Sequence, residues 1–285
     1  MLIKNKTGEV RLIFRFLILI GLVSIIAFLL RFIPIIIKAQ LLVNDGMLKD
    51  DAIQEAKSII FDIPIWNAIL STIQGLFWLI IVIFLIRKIE RRSFSWKAIG
   101  MDWRKSTPLI LILGLLIGCI LHISYLLIGD SVNLSSLHQN IIIKQNILTI
   151  LLNVVLYIFL GFGEEIGFRA YFQTRVIKLY GTLLGILFTA VLFTLSHMIF
   201  RPLTILELFS GVCLYMAIGI LYFMSQSVYF VGIIHALLNL LPQVFKVTGE
   251  DLEVHVVNVV FFILVISVFL GFRKRISHLI ISNRE

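Results

Sequence analysis

The sequence predicts an all-α polytopic membrane protein, a bundle of about eight transmembrane helices. Hydrophobic residues make up 60% of the 285 residues, only 14% are charged, and the mean hydropathy is +1.05. Because a water-soluble domain keeps about a quarter of its residues charged, this chain lacks the polar residues needed to cover a water-facing surface. Its apolar residues are also gathered into long runs, and a helix needs about 20 of them to cross a bilayer.

Eight runs meet or approach that length, and we treat residues 1–285 as one integral membrane domain. The first run follows a basic N-terminal segment, but it is too long for a signal peptide and lacks a small-residue cleavage site, which favours a retained anchor. The fifth and seventh runs are short, so six or seven crossings remain open. The runs lie at 12–33, 64–86, 108–128, 146–166, 181–200, 203–223, 228–245 and 255–272.

The net charge of +9 predicts an orientation rather than a nucleic-acid partner. The 25 Lys and Arg residues are scattered between the apolar runs and do not form one basic tract. With eight crossings and both termini in the cytoplasm, most of them fall on the cytoplasmic side, above all in segment 87–107, as the positive-inside rule requires. The expected partner is therefore the lipid bilayer, and no nucleic acid.

A few polar residues interrupt the apolar runs. Ionisable side chains inside a bilayer are costly, so each is a candidate for function. Glu164 and Glu165 end the fourth run, His197 lies in the fifth, and His235 and Asn239 lie in the seventh, where their i,i+4 spacing predicts one helical face. The alternative explanation is that the two glutamates are charges of a cytoplasmic loop that lie at the end of a helix.

The spacing of these residues predicts a shared site in the cytoplasmic half of the bilayer. A turn at Tyr180-Gly181 would place Glu164 and His197 at equal distances, roughly 25 Å along antiparallel helices. His235 follows a second turn at 225–227 by roughly 12 Å, so the fourth and fifth helices must project that much further into the cytoplasm. Glycines 161, 163 and 167 beside the glutamates indicate close helix packing or a kink.

Three motifs in chain order resemble a known family. They are Glu164-Glu165-x-x-x-Arg169, Phe193-x-x-x-His197 and His235-x-x-x-Asn239. This set resembles the CPBP family of CAAX proteases and bacteriocin-processing proteins, also called Abi proteins, which includes type II CAAX prenyl endopeptidases. The resemblance covers residues 110–245, which we take as the catalytic core.

The resemblance implies an intramembrane endopeptidase acting on a membrane-associated peptide or protein. Glu164 would activate a water held with His197, while His235 and Asn239 would bind the water or stabilise the oxyanion. Glu165, Arg169 and Phe193 would support the site, with Glu165 and Arg169 spaced to form an ion pair.

Whether such an enzyme would need a cofactor is a separate question. A divalent metal such as zinc is one possibility, with Glu164, His197 and His235 as candidate ligands. Because no His-Glu-x-x-His pair is present, we favour a metal-free glutamate mechanism.

Two other functions remain open, and several residues outside the motifs carry weaker expectations. A non-catalytic bacteriocin self-immunity or scaffold protein would keep the fold without the chemistry, and a transporter would use the same groups as a proton relay. We expect His122 to be packed and His255, at a run end, to be solvated. Four tryptophans near the ends of early runs suggest an interfacial aromatic belt: Trp66, Trp78, Trp96 and Trp103.

Overall fold

The computed structural model describes residues 11–62, 64–129, 147–199, 202–245 and 252–282, of which most are helical and none lies in a β-strand. The predicted all-α membrane bundle of about eight helices is confirmed. Within this part of the chain, six helices are long and apolar enough to span a bilayer, and two shorter apolar helices accompany them. The six are Leu12–Asn44, Ile65–Ile89, Thr107–Ile128, Ile147–Tyr180, Ile205–Ser225 and Val254–Phe272, and the shorter two are Thr182–Ser196 and Val228–Pro242.

Irregular helical turns interrupt two of the long helices. The α-helices are α1 (Leu12–Asn44), α2 (Lys49–Asp62), α3 (Pro64–Phe84), α4 (Thr107–Gly129), α5 (Ile147–Glu165), α6 (Thr174–Tyr180), α7 (Thr182–Ser196), α8 (Ile205–Ser225), α9 (Val228–Phe245) and α10 (Leu252–Ser282). Segments of π-helix follow α3 at Leu85–Ile89 and join α5 to α6 at Ile166–Gln173.

The described residues form two compact units. Residues 11–95 and 147–167 make the first unit, which holds α1, α2, α3 and α5. Residues 96–129 and those from 168 onward make the second, which holds α4 and α6 to α10.

Glycine allows two helices of the first unit to approach closely. Side-chain atoms added at Gly75 on α3 would collide with the carbonyl group of Phe159 on α5, and a Cβ at Gly163 would lie 2.7 Å from the Gly75 carbonyl oxygen. One at Gly167 would overlap the Trp78 ring. The close packing predicted at Gly163 and Gly167 is therefore confirmed, since small residues let helix backbones meet in a membrane. The same prediction for Gly161 stays a prediction.

Trp78 does not belong to an interfacial belt. It is only 4% exposed, because Gly163 and Gly167 leave room for its indole between α3 and the α5 segment. The prediction was wrong for this residue, whereas Trp66, Trp96 and Trp103 are about half exposed or more.

Local sequence signals define the helix ends of the second unit. The predicted turn at Tyr180-Gly181 is confirmed: α6 ends at Tyr180, and Gly181 has a φ of 86°, which favours glycine. At the start of α8, Thr204 and Glu207 form a reciprocal capping box. Helix α8 ends at the predicted second turn, where Gln226 is left-handed with a φ of 51°.

Substituting alanine for Gly75 should separate α3 from α5. We expect Gly75→Ala to lower the free energy of unfolding by about 1–3 kcal/mol, the usual cost of overpacking. Thermal melting in detergent would measure it. The matched control is Gly21→Ala in α1, where an added Cβ meets nothing within 4 Å. Equal melting temperatures for the two variants would contradict the close packing.

Candidate active site

The two glutamates end an ordinary α-helix and immediately precede a π-helix. Glu164 is half-buried and Glu165 is fully buried, both at the end of α5 in the first unit. The next residue begins the π-helical segment Ile166–Gln173, which contains Arg169 of the second unit. Such segments are rare and occur frequently at functional sites. The predicted Glu165–Arg169 ion pair assumes that both residues lie four positions apart in an α-helix, but the α-helix ends at Glu165. The pair therefore stays a prediction.

Phe193 is the centre of an aromatic cluster in the second unit. Its ring centroid lies 5.0 Å from that of His197, 5.7 Å from that of His235 and 4.3 Å from that of Tyr215, all in edge-on geometry. Because the aromatic edge is positive and the face negative, edge-to-face packing of this kind is attractive. Phe193 on α7 thus brings His197, the residue that directly follows this helix, next to His235 on α9. We call Arg169, Phe193, His197, Tyr215 and His235 the aromatic cluster.

Arg169 supports this cluster from the π-helix. Its side chain is 0% exposed, and its guanidinium carbon lies 5.0 Å from the Phe193 ring centroid and 5.8 Å from that of Tyr215. A cation held over aromatic faces is attracted more strongly where water is excluded. The first and second motifs are therefore linked through Arg169 and Phe193, although the predicted roles of these residues in catalysis stay predictions.

The orientation of His197, which directly follows α7 in a 3-10 turn, is determined by the backbone of that helix. Its Nδ1 lies 2.9 Å from the carbonyl oxygen of Phe193. Since a carbonyl oxygen only accepts hydrogen bonds, Nδ1 carries a proton, and in the neutral form of the ring Nε2 presents a lone pair. A histidine held in this way can accept a hydrogen bond from water or bind a metal through Nε2.

His235 and Asn239 line one cavity on the same face of α9, as their spacing predicted. The cavity has a volume of about 190 Å³ and lies within the second unit. His235 is only 2% exposed and lies edge-on to Phe193, with its ring centroid 6.3 Å from that of Tyr215. The second and third motifs thus meet around Phe193. The predicted common height of Glu164 and His197 involves residues of different units and stays a prediction.

Three residues near the motifs were missed in the sequence. Tyr215 stacks on His197 with ring centroids 5.7 Å apart and also lines the cavity. Tyr125 on α4 donates a 2.5 Å hydrogen bond to Asn258 on α10. A buried amide in an apolar run was a usable signal for Asn258, whereas a tyrosine is too common in such runs to have identified the other two.

The predictions for the two other histidines of the apolar runs have opposite outcomes. His122 is buried, as expected for a packed side chain. His255 is also buried, with its Nδ1 2.7 Å from the hydroxyl oxygen of Ser210. The prediction of a solvated His255 was wrong because α10 begins three residues earlier, at Leu252, and presents this ring to α8.

The described residues only partly fit a zinc site. The Nδ1 bond of His197 suits a metal ligand, because such histidines usually donate their other nitrogen to a carbonyl or carboxylate. However, no three His, Cys, Asp or Glu side chains in the described part of the chain are grouped to hold an ion. We therefore derive no reaction step through a metal.

Comparison with known proteins agrees with the motifs. Residues 146–241 match the family model described as type II CAAX prenyl endopeptidase Rce1-like. No curated protein and no solved structure matches the chain. The matched segment includes all three motifs and confirms the resemblance to the CPBP family inferred from them. Over that segment the chain is similar to type II CAAX prenyl endopeptidases, and its apolar helices indicate a multi-pass membrane protein.

Replacing the planar guanidinium of Arg169 by an ammonium group should weaken the aromatic cluster. We expect Arg169→Lys to lower the free energy of unfolding by about 1 kcal/mol, because lysine keeps the cation but loses the planar guanidinium that packs on two rings. Thermal melting would measure it. The control is Arg87→Lys, because Arg87 is exposed and lies 6.0 Å from the Phe94 ring. A larger loss in Arg87→Lys would contradict the role of Arg169.

Proposed function

We propose that this chain is an intramembrane endopeptidase that hydrolyses a peptide bond in a membrane-associated peptide or protein, with Glu164 activating the water. One observation carries the proposal. Around Phe193, inside the segment that matches an endopeptidase family, the structure joins two motif histidines, one of which lines a cavity with Asn239.

The proposed reaction uses only groups of the chain and one water molecule. The Glu164 carboxylate takes a proton from the water while the water oxygen attacks the scissile carbonyl carbon. Nε2 of His197 accepts the second hydrogen of the water in a hydrogen bond and so orients it. The carbonyl π electrons move to oxygen. When the carbon–nitrogen bond breaks, the proton on Glu164 passes to the leaving nitrogen.

His235 and Asn239 stabilise the oxyanion in this proposal. Both line the cavity, and an imidazole N–H and an amide N–H are suitable donors to the charge that develops on the carbonyl oxygen. Donors held in place before reaction stabilise such charge well in a water-poor site. Glu165, Arg169 and Phe193 act indirectly, by holding the cluster in position.

The metal requirement and the substrate both belong to the proposal. Zinc is the alternative, with Glu164, His197 and His235 as candidate ligands, and it would supply Lewis-acid chemistry. We favour the metal-free mechanism. The substrate is either a prenylated CAAX-type C-terminus or an unprenylated peptide such as a pheromone or bacteriocin leader. Both termini of the enzyme are proposed to lie in the cytoplasm, in line with the Lys and Arg distribution.

Cleavage of membrane-anchored peptides would test the proposal. The purified protein in lipid nanodiscs is incubated with two randomised peptide libraries, one farnesylated at a C-terminal CAAX cysteine and one carrying an N-terminal acyl anchor, and products are identified by mass spectrometry. We expect Glu164→Gln to lower the rate by about 10²–10⁴-fold, since it removes the general base. Asn239→Ala should lower it by about 10²–10³-fold.

The matched control is Glu55→Gln, an exposed acid on α2. If wild type cleaves neither library, or if Glu164→Gln cleaves as fast as Glu55→Gln, the enzymatic proposal is wrong and the immunity or scaffold alternative is favoured. Parallel reactions with EDTA separate the two mechanisms, because only a metal enzyme loses activity and regains it with added zinc.

The nitrogen used by His197 can be tested separately. Glutamine places its amide near the position of Nε2, whereas asparagine places its amide near Nδ1. We therefore expect His197→Gln to retain more activity than His197→Asn, because its oxygen can still accept a hydrogen bond from the water. Rates from the same libraries, with folding checked by thermal melting, would decide. Higher activity in the asparagine variant would show that the bond to the Phe193 carbonyl matters more than Nε2.

A further inference from the structure

The cavity beside His235 and Asn239 extends beyond what the reaction requires. Four helices of the second unit contribute to its wall: Tyr125 comes from α4, Tyr215 from α8, Asn239 from α9 and Asn258 from α10. Hydrolysis needs only His235 and Asn239 from this set. The rest of the cavity is therefore available to another part of the substrate.

The cavity is partly open, and its volume determines how much of a ligand it can enclose. An engineered apolar cavity of about 150 Å³ binds benzene, which has about six carbon atoms. At the same density, 190 Å³ holds about seven or eight non-hydrogen atoms. This is the size of an aliphatic or phenyl side chain. A farnesyl group, with about fifteen carbons, would need about twice that volume.

The lining favours an apolar occupant. Leu214, Leu238 and Val254 supply hydrocarbon surface. At the wall formed by α4 and α10, the Tyr125 hydroxyl donates a 2.5 Å hydrogen bond to the side-chain amide oxygen Oδ1 of Asn258. Because these atoms are already paired, an apolar group can enter without leaving that donor and acceptor unsatisfied.

The length of the cavity along α9 limits which residue of a peptide substrate can place its side chain there. From His235 to Pro242, both of which line the cavity, the helix rises about 10 Å. An extended peptide covers that distance in about three residues. A side chain in the cavity therefore belongs to a residue no more than about three positions from the cleaved bond.

We propose that this cavity is a specificity pocket for one medium-sized apolar side chain of the peptide substrate, such as Leu, Met or Phe, and not a prenyl site. The proposal rests on the endopeptidase function proposed above. It assigns Tyr125, Val254 and Asn258, which lie outside the segment that matches the family, to substrate selection.

Filling the pocket tests this assignment. In Val254→Phe, the added ring occupies the cavity, so cleavage of peptides with Leu, Met or Phe at the responsive position should fall about 10-fold or more relative to peptides with Ala there. The matched control is Val256→Phe on the same helix, where Val256 is 45% exposed. It should keep the wild-type preference.

Enlarging the pocket provides a second variant if the first does not fold. Leu238→Ala should allow Trp at the same position, which the wild type rejects. If wild type shows no size preference within three residues of the cut, the pocket assignment is overturned. The assignment is also overturned if each variant that folds, whether Val254→Phe or Leu238→Ala, keeps the wild-type preference. Cleavage itself would still stand, so the endopeptidase proposal would survive.

A binding measurement separates failure of the pocket from failure of the enzyme. N-acetyl-leucine amide, N-acetyl-alanine amide and farnesol are added at millimolar concentration, and the melting temperature of each protein is recorded. We expect the leucine derivative to raise it most in wild type and in Val256→Phe, with no rise in Val254→Phe. If the leucine effect appears although no library peptide is cleaved, the pocket stands and the enzymatic function does not. A rise only with farnesol, or none with any compound, overturns the pocket.

Discussion

The packing of Phe193 against its neighbours is the interaction on which the candidate site depends. One ring contacts the cation of Arg169, the imidazoles of His197 and His235 and the ring of Tyr215. The carbonyl group of the same residue fixes the tautomer of His197. In lipid, where the hydrophobic effect does not drive helices together, association depends on close packing and polar contacts of this kind. Phe193 provides both, so the positions of two helices and of two histidines are determined together.

The rest of the fold reduces the cost of placing polar groups in an apolar chain. Buried polar atoms are expensive unless they are paired. In the second unit, the Tyr125–Asn258 and Ser210–His255 hydrogen bonds each join two helices and satisfy groups that would otherwise be exposed to hydrocarbon. In the first unit, glycine at positions 75 and 163 lets backbones meet directly. The second unit also uses small residues, since a Cβ at Gly114 on α4 would lie 2.9 Å from the Phe230 carbonyl oxygen on α9. Polar pairing and close backbone packing therefore both stabilise the unit that contains the cavity beside His235.

Much of the fold could be predicted because a bilayer imposes a simple rule of length and hydropathy. The eight apolar runs and the turn at Tyr180-Gly181 follow from that rule and from glycine's tolerance of positive φ. The π-helix after Glu165 could not be predicted, because residues compatible with it are equally compatible with an α-helix. Trp78 and His255 were misjudged for a related reason. Position within a run indicates depth in the bilayer, but it does not indicate which face of the helix a neighbour covers.

By itself, the sequence determined that the chain belongs in a bilayer and in what order its helices follow. It also identified the few polar residues inside apolar runs that are candidates for function. It also placed His235 and Asn239 on one face, since helical periodicity requires nothing from the rest of the protein. Only the tertiary structure decided that Phe193 lies between the two histidines, that Tyr215 joins them, and that Tyr125 and Asn258 meet across a cavity. Tyr125 and Asn258 lie more than 130 positions apart. Contacts over such distances depend on how helices pack, and helix packing depends on the shape of every side chain at the interface rather than on any local pattern.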